Sequence, residues 1–327
     1  MATGWKRVTF PRSIWLLSDG KTGHEAPLIG VADAINARYE LRRVRPRRLF
    51  AALAPWGPID PRDRGSTGVL EGPFPDICLA SGRRTVPYLR RLKARSPQTF
   101  CVYFKDPRTR RSGADMLVTM VHDRMDGPNV YATKTSPHRM SPAALEAARS
   151  EPWADLNALP GPRVAVLIGG NSRHHLFDET NIRELLAHLR ALRRDGASLM
   201  ITISRRTPLA LQDAIFALRD LGNVLVWDGQ EPNPLVQYLA LSDAIVVTSD
   251  SINMVGEAAS TGKPIHLFHP TGSHPKFDVF LGELSKIATI RPLDGTLGGT
   301  PYEPLDCTAG IAEEIVERYQ VQSRSVG

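Results

Sequence analysis

Between Val246 and Ile265 the chain reads as a buried strand, a small polar turn, a short helix, a glycine stop and a second strand. The turn, Ser249-Asp250-Ser251, brings two hydroxyls and a carboxylate to a helix start, where unsatisfied backbone N–H groups favour an anion. Asn253 and Glu257 follow one helical turn apart on a shared face. A carboxylate in that place can accept hydrogen bonds from sugar hydroxyls. A ligand with phosphate at the turn and ribose a turn later is a nucleoside diphosphate. The plain alternative is an ordinary strand–helix–strand unit capped by Ser251.

Other strand ends carry similar signals. Ser18-Asp19-Gly20-Lys21-Thr22-Gly23-His24-Glu25 lies between the first apolar run and a helical period. Gly20 and Gly23 permit close backbone approach, and a helix start favours negative charge. His24 can take a proton from a hydroxyl near neutral pH, with Asp19 or Glu25 orienting the ring. This is not a P-loop, because the Gly-x-x-x-x-Gly-Lys spacing is absent. Further on, Gly169 and Gly170 leave room for a phosphate, with Asn171 and Arg173 beside it. His174 and His175 are loop neighbours that point apart, without ligand spacing, so no metal site is expected. Arg205 and Arg206, followed by Pro208, place planar donor forks at a strand end, for phosphate recognition or surface ion pairing. Asp106-Pro107-Arg108 and His122-Asp123 also end strands and read as structural or acceptor-side groups.

Certain elements must hold these turns. Residues 13–17, 39–44, 76–80, 100–104 and 116–120 read as strands, with helical periods from Leu28 to Ile35 and from about Thr85. A Pro- and Gly-rich loop fills 54–75. Pro137, Pro142, Pro152, Pro160 and Pro162 mark a short helix and a linker. The alternation then restarts, with strands at 164–168, 198–204, 224–227, 244–248 and 264–268. Helices are expected at 178–194, 208–218, 234–240 and 308–319. Strands alternating with helices predict an α/β protein with parallel sheets. With 327 residues, the chain should form two doubly wound, Rossmann-like domains facing a cleft, 1–155 and 156–327.

Composition narrows the class. Hydrophobic residues make up 42% and charged residues 23%, as in a globular protein, and no apolar run approaches the ~18 residues that span a bilayer. Trp5, Lys6, Arg7, Pro11 and Arg12 ahead of one short strand do not read as a signal peptide. Cys78, Cys101 and Cys307 are too few and too scattered for a disulfide framework or a zinc site, which predicts a reducing, cytoplasmic compartment. Residues 1–160 hold 26 Lys+Arg against 15 Asp+Glu, and residues 161–327 hold 15 against 19. The basic half suits a phosphorylated substrate or an anionic membrane surface, or is simply a solvated arginine-rich face. No nucleic-acid motif accompanies it.

The motifs at 17–25, 169–173, 202–208 and 248–264 together resemble the ELM-type mitochondrial fission family, which comprises plant elongated-mitochondria proteins and bacterial homologues. Plant members recruit a dynamin-related protein to the mitochondrial surface. The same blocks are similar, more distantly, to GT-B glycosyltransferases such as the peptidoglycan N-acetylglucosaminyl transferase and the lipid A disaccharide synthase. That likeness implies a base at Gly23-His24 in an acceptor-side first domain. It implies a second domain holding a nucleotide-diphosphate sugar, with Ser249 and Ser251 near the diphosphate and Glu257 on the ribose. Asp250 stands where those enzymes more often have Ser or Gly. No Gly-x-Gly-x-x-Gly follows the first strand, which disfavours a dinucleotide cofactor. The expectation is a metal-independent glycosyltransferase with no cofactor beyond its donor, acting on an envelope or lipid-linked acceptor at the inner face of a membrane. A non-catalytic adaptor is the alternative and a nucleotide-sugar epimerase the third reading.

Overall fold

The apolar runs are continuous rather than alternating, which suits parallel strands covered on both faces. The computed structural model describes residues 10–65, 68–230 and 232–326; Trp5, Lys6 and Arg7 lie outside them. The first described elements are β1 (Ser13–Ser18), α1 (Thr22–Ile35), β2 (Arg38–Arg43), α2 (Arg48–Leu53), β3 (Ile77–Ser81), α3 (Val86–Arg95), β4 (Phe100–Phe104), β5 (Met116–Met120) and β6 (Val130–Thr133). Then come α4 (Pro142–Ser150), α5 (Ala154–Asn157), β7 (Arg163–Ile168), α6 (Glu179–Arg194), β8 (Ser198–Ile203), α7 (Leu209–Phe216), β9 (Val224–Trp227) and α8 (Leu235–Leu241). β10 (Ala244–Thr248), α9 (Ile252–Ala259), β11 (Ile265–Phe268), α10 (Pro275–Leu284), β12 (Ile290–Pro292) and α11 (Thr308–Val326) complete the chain.

The strands form two parallel sheets, as the alternation predicts. One has the order β2-β1-β3-β4-β5-β6 and the other β12-β11-β10-β7-β8-β9. A sheet that grows first to one side and then to the other opens a crevice at the carboxyl ends where the direction reverses. That reversal lies between β1 and β3 in the first sheet and between β7 and β10 in the second.

The domain limits differ from the expected 155/156 boundary. One compact unit is Met1–Arg139 with Cys307–Gly327, and the other is Met140–Asp306. The physical reason lies in the two segments concerned. Met140, Leu145, Ala148 and Leu156, in the proline-marked stretch, are buried in the core of unit 2. Ile311, Ile315 and Tyr319 of α11 are buried with Ile14, Leu28 and Val31 in the core of unit 1. The sequence reading also missed β6, β12, α2 and α10. The strands β6 and β12 are short and mostly half-buried or exposed, so their apolar signal is weak. Among the described residues no helix is long and apolar enough to cross a membrane.

Because α11 fills the unit 1 core from a distance in sequence, Ile315→Ala should cost about 2–5 kcal/mol, the usual penalty for an emptied aliphatic site. Chemical denaturation with tryptophan fluorescence measures it. An unchanged midpoint would contradict this placement of α11.

Candidate functional site

The β1/β3 reversal in unit 1 is occupied by the Ser18–Glu25 motif. Ser18 is fully buried and its hydroxyl accepts from the Gly20 N–H at 2.9 Å, closing the turn. Asp19 Oδ1 lies 2.7 Å from His24 Nδ1, and the Asp19 side chain is 4% exposed. Burial pushes the Asp19 carboxyl up, but His24 and Lys21 outweigh it, and the pKa falls below the ordinary value. An ionised carboxylate only accepts, so His24 donates from Nδ1 and, when neutral, presents its lone pair at Nε2. Gly82, just past β3, has φ +98° and packs so close that a Cβ there would lie 2.8 Å from Asp19 Cγ and from His24 Nδ1. Only glycine fits both that conformation and that contact.

Of the two acids the sequence offered to orient His24, Asp19 is bonded to it and Glu25 is not. Its carboxylate takes both a 2.7 Å and a 2.9 Å bond from Arg43 on β2, an arginine matched to it in planar geometry. The Arg43 bonds hold the Glu25 pKa below its usual value.

The β7/β10 reversal in unit 2 brings Gly169 and Gly170 against Ser249 and Asp250. The Asp250 side chain has no exposed surface. It accepts from Gly170 N–H at 3.0 Å, from Thr248 Oγ1 at 2.7 Å and from Arg206 Nη2 at 2.8 Å. Gly169 N–H donates to Thr248 Oγ1 at 2.8 Å, and Arg206 Nη1 donates to the carbonyls of Gly170 and Asn171. Two expectations are corrected here. The Gly169-Gly170 amides are spent on the chain's own side chains rather than on a phosphate. Arg206 and Asp250 are partners of one another, because a buried carboxylate needs donors and these are the nearest. The Asn171 side chain is likewise engaged, accepting from Phe177 N–H at 2.8 Å.

What faces outward at this crevice is the start of α9. Ser251 occupies the position before the helix, but no side chain caps it. The plain reading, in which Ser251 serves as a cap, is therefore not what the structure holds. Arg173 and Arg205 are exposed, Ser249 is buried, and Ser251, Asn253 and Glu257 are half-buried. Val255, Gly256, Ala258 and Ala259 point into the core, so Asn253 and Glu257 do share the outer face of α9. Protein crowds the Glu257 carboxyl although part of the residue stays open, and burial alone pushes its pKa up to about 7. Among the described residues no group of three or more His, Cys, Asp or Glu is placed to hold a metal ion. Sequence reasoning overlooked Lys105 and Gly82; each directly follows a strand or its last turn, which was the available signal.

The family model described as Mitochondrial fission ELM1 matches residues 22–319. The Mitochondrial fission protein ELM1 of Arabidopsis thaliana is 30% identical over 275 residues, which cover 75% of this chain and 64% of that protein. This chain therefore spans less than two thirds of that relative's length. Uncharacterized protein RP120 of Rickettsia prowazekii (strain Madrid E) is 25% identical, across 93% of this chain and 97% of its own. Among solved structures, Methanocaldococcus jannaschii UDP-GlcNAc 2-epimerase, in complex with UDP-GlcNAc and UDP, superposes with a TM-score of 0.55. It is 11% identical and covers 95% of this chain and 99% of its own. A second structure of UDP-GlcNAc 2-epimerase from the same organism gives 0.51 at 10% identity, covering 93% of this chain and 99% of its own. Likeness at that identity shows the fold, a GT-B-like pair of Rossmann-type units.

The raised Glu257 pKa makes stability depend on pH. The unfolded chain releases this proton near its ordinary value of 4.5 and the folded chain near 7, so stability falls as pH rises across that interval. Relative to the wild type, Glu257→Gln should abolish a loss on the order of 2 kcal/mol, part of it screened by solvent. Urea unfolding of both proteins across the interval measures it, and parallel pH profiles would refute it.

Proposed function

The chain belongs to the mitochondrial fission ELM1 family, and we propose that this member binds a nucleotide-diphosphate sugar in unit 2 and transfers the sugar without a bound metal. The observation that carries the proposal is Glu257, a desolvated carboxyl one turn into a helix whose start is uncapped, at the strand-order reversal. Ribose hydroxyls would give this carboxyl the partners it lacks. The start of α9, which no side chain caps, the Ser251 hydroxyl and the Arg173 and Arg205 guanidinium groups suit a diphosphate. They would also stabilise it as it leaves. Asn253 shares the Glu257 face. Unit 1 would hold the acceptor. There the His24 Nε2 lone pair takes the proton of an acceptor hydroxyl, Asp19 stabilises the imidazolium, and the freed oxygen attacks the sugar's anomeric carbon. The acceptor we propose is an envelope or lipid-linked one. The archaeal-type fold match, a UDP-GlcNAc 2-epimerase bound to UDP-GlcNAc and UDP, is compatible with a donor of this chemistry. It also keeps an epimerase in view, which would isomerise the sugar with no acceptor present.

Calorimetry against a panel of nucleoside diphosphates and their sugars tests the donor site. One of them should bind, and Glu257→Ala should weaken it by about 1–3 kcal/mol, the cost of unpaired hydroxyls. His24→Ala should leave donor affinity unchanged and lower turnover about 10²–10⁴-fold. A wild type that binds none of the common bases would sink the reading.

A second reading, attachment to an anionic membrane as an adaptor or a peripheral enzyme, is favoured by α2. Leu49 and Leu53 on α2, and Trp56 in the turn after it, are 65%, 45% and 66% exposed. Exposed Arg45 and Arg48 flank them, Arg83 donates to the Ala51 carbonyl, and Arg90 donates to the carbonyls of Trp56 and Gly57. The nearby acids are engaged, Asp60 by Arg47 and Asp63 by the Tyr88 hydroxyl. Apolar side chains inside an arginine collar suit the headgroup region of an anionic bilayer. The wild type should sediment with anionic vesicles and not with neutral ones. The triple variant Leu49→Ser, Leu53→Ser, Trp56→Ser should lose most of that binding while keeping its arginines. Equal sedimentation of the variant and the wild type would rule out insertion by α2.

A further inference from the structure

Unit 1 contains a cationic group that the proposed chemistry leaves without a role. Lys105 follows Phe104, the last residue of β4, in left-handed backbone at φ 80°. A residue with a long side chain seldom adopts that conformation, and such outliers gather at functional sites. Its amide donates to the Val118 carbonyl at 2.8 Å, which ties this turn to β5. Burial and the charge of Lys21 lower the ammonium pKa, against the pull of Asp123 and Asp19. Both acids also bond elsewhere. Asp19 is bonded to His24 at 2.7 Å, and Asp123 accepts from Met120 N–H at 3.4 Å. Among the described residues no hydrogen bond or ion pair reaches the Lys105 ammonium.

Lys105 lines a mostly apolar cavity whose other polar residues are Ser81, Thr119, Thr133 and Ser136, among Phe104, Val118 and Met120. Its volume is ≈ 20 Å³, room for one water-sized group. The Thr119 Oγ1 atom is buried and has no hydrogen-bond partner. A desolvated ammonium and an unpaired hydroxyl both call for an acceptor oxygen. Lys21, just before α1, repels Lys105, so negative charge between the two would relieve both. The size admits a single oxygen, such as the tip of a phosphoryl group. A dianion answers two ammonium groups where a carboxylate would answer one.

We propose that Lys105, Thr119 and Lys21 form a phosphate site in unit 1, beside the Asp19–His24 pair, that takes a terminal phosphate monoester. The site does not depend on nucleotide binding in unit 2, so either can fail alone. A phosphate held there would place its carrier's neighbouring hydroxyls near His24, which gives the acceptor a chemical class.

The test is NMR of the full chain with lysines labelled biosynthetically with carbon-13 at Cε. The chain has eight lysines, so the spectrum is sparse, and Lys105→Arg identifies its signal by loss while keeping the charge. Inorganic phosphate should move the Lys105 and Lys21 signals in a saturable way, and sodium chloride of equal ionic strength should not. Lys105→Gln should abolish the movement of Lys21, and Thr119→Val should weaken phosphate about 3–10-fold, the worth of one hydrogen bond. Soluble short-chain phosphatidic acid forms the second arm. Movement with both ligands supports a phosphate of any carrier, and movement with the lipid alone supports a lipid headgroup. A Lys105 signal that ignores both ligands, or that responds equally to chloride, overturns the proposal. That result needs only the wild type and Lys105→Arg, so it stands even if Lys105→Gln fails to fold.

Discussion

A buried carboxylate at a strand end must find donors, and in unit 2 that requirement sets the form of the crevice. Asp250 has no exposed surface, and its bonds to Gly170 N–H, Thr248 and Arg206 stitch β7, β8 and β10 together beyond their last ladder bonds. The stitching is tight. A Cβ on Gly169 would lie 2.1 Å from the Asp250 carboxylate, and one on Gly170 would lie 2.0 Å from the Arg206 carbonyl. Both glycines are required for packing within the protein, where the sequence suggested room for a phosphate. With the loop closed from inside, α9 starts at a fixed point, and Asn253 and Glu257 are aimed outward by its register. Asp19 has a related place in unit 1, but it holds an imidazole rather than backbone. The two reversals share a topology and differ in what their acid grips: one makes a scaffold and the other orients an imidazole.

Much of this was legible because it was local. Continuous apolar runs marked the strands, and polar turns after Leu17, Ile168, Ile203 and Thr248 marked their carboxyl ends. The fold class and the shared face of Asn253 and Glu257 follow from such short-range periodicity. What was not legible was partner choice. Glu25 and His24 are adjacent in sequence, yet Glu25 is held by Arg43, 18 residues away. Arg206 meets Asp250 across 44 residues. Planar matching of guanidinium and carboxylate is decided by where β2 and β8 lie, and no spacing rule encodes that. The return of α11 to unit 1 has the same origin, since an amphipathic helix advertises an apolar stripe but not the sheet that will receive it.

Electrostatics follow this division. The arginine-rich half was expected to be either a binding field or a solvated face. The structure gives several of these arginines a different use. Arg42 lies over the Trp15 ring at 3.4 Å, Arg43 and Arg47 are paired with Glu25 and Asp60, and these serve packing and ion pairing. Arg45, Arg48 and Arg84 remain exposed. Because the acids near α2 are engaged, the charge left over is positive beside the exposed Leu49, Leu53 and Trp56. Attraction of that kind falls off within a Debye length, so it acts at contact rather than at long range.

Lys105 and Glu257 bear on whether such contact is the whole function. Each is a titratable group pushed toward its neutral form by burial, each lies close to a strand-order reversal, and among the described residues no hydrogen bond or ion pair is made to either side-chain head. Groups of this kind lower stability by an amount on the order of 1–3 kcal/mol. Asp250 shows that the same fold can give a buried charge a full set of donors. Attachment through α2 requires neither Lys105 nor Glu257, since that surface is complete without them. A purely adhesive protein therefore leaves both costs without a compensating gain. Ligands that carry an anion to Lys105 and hydroxyls to Glu257 supply the missing partners in each unit. On this argument the proposed membrane surface and the proposed ligand sites are separate: α2 would set where the chain acts, and Lys105 and Glu257 would mark what it binds.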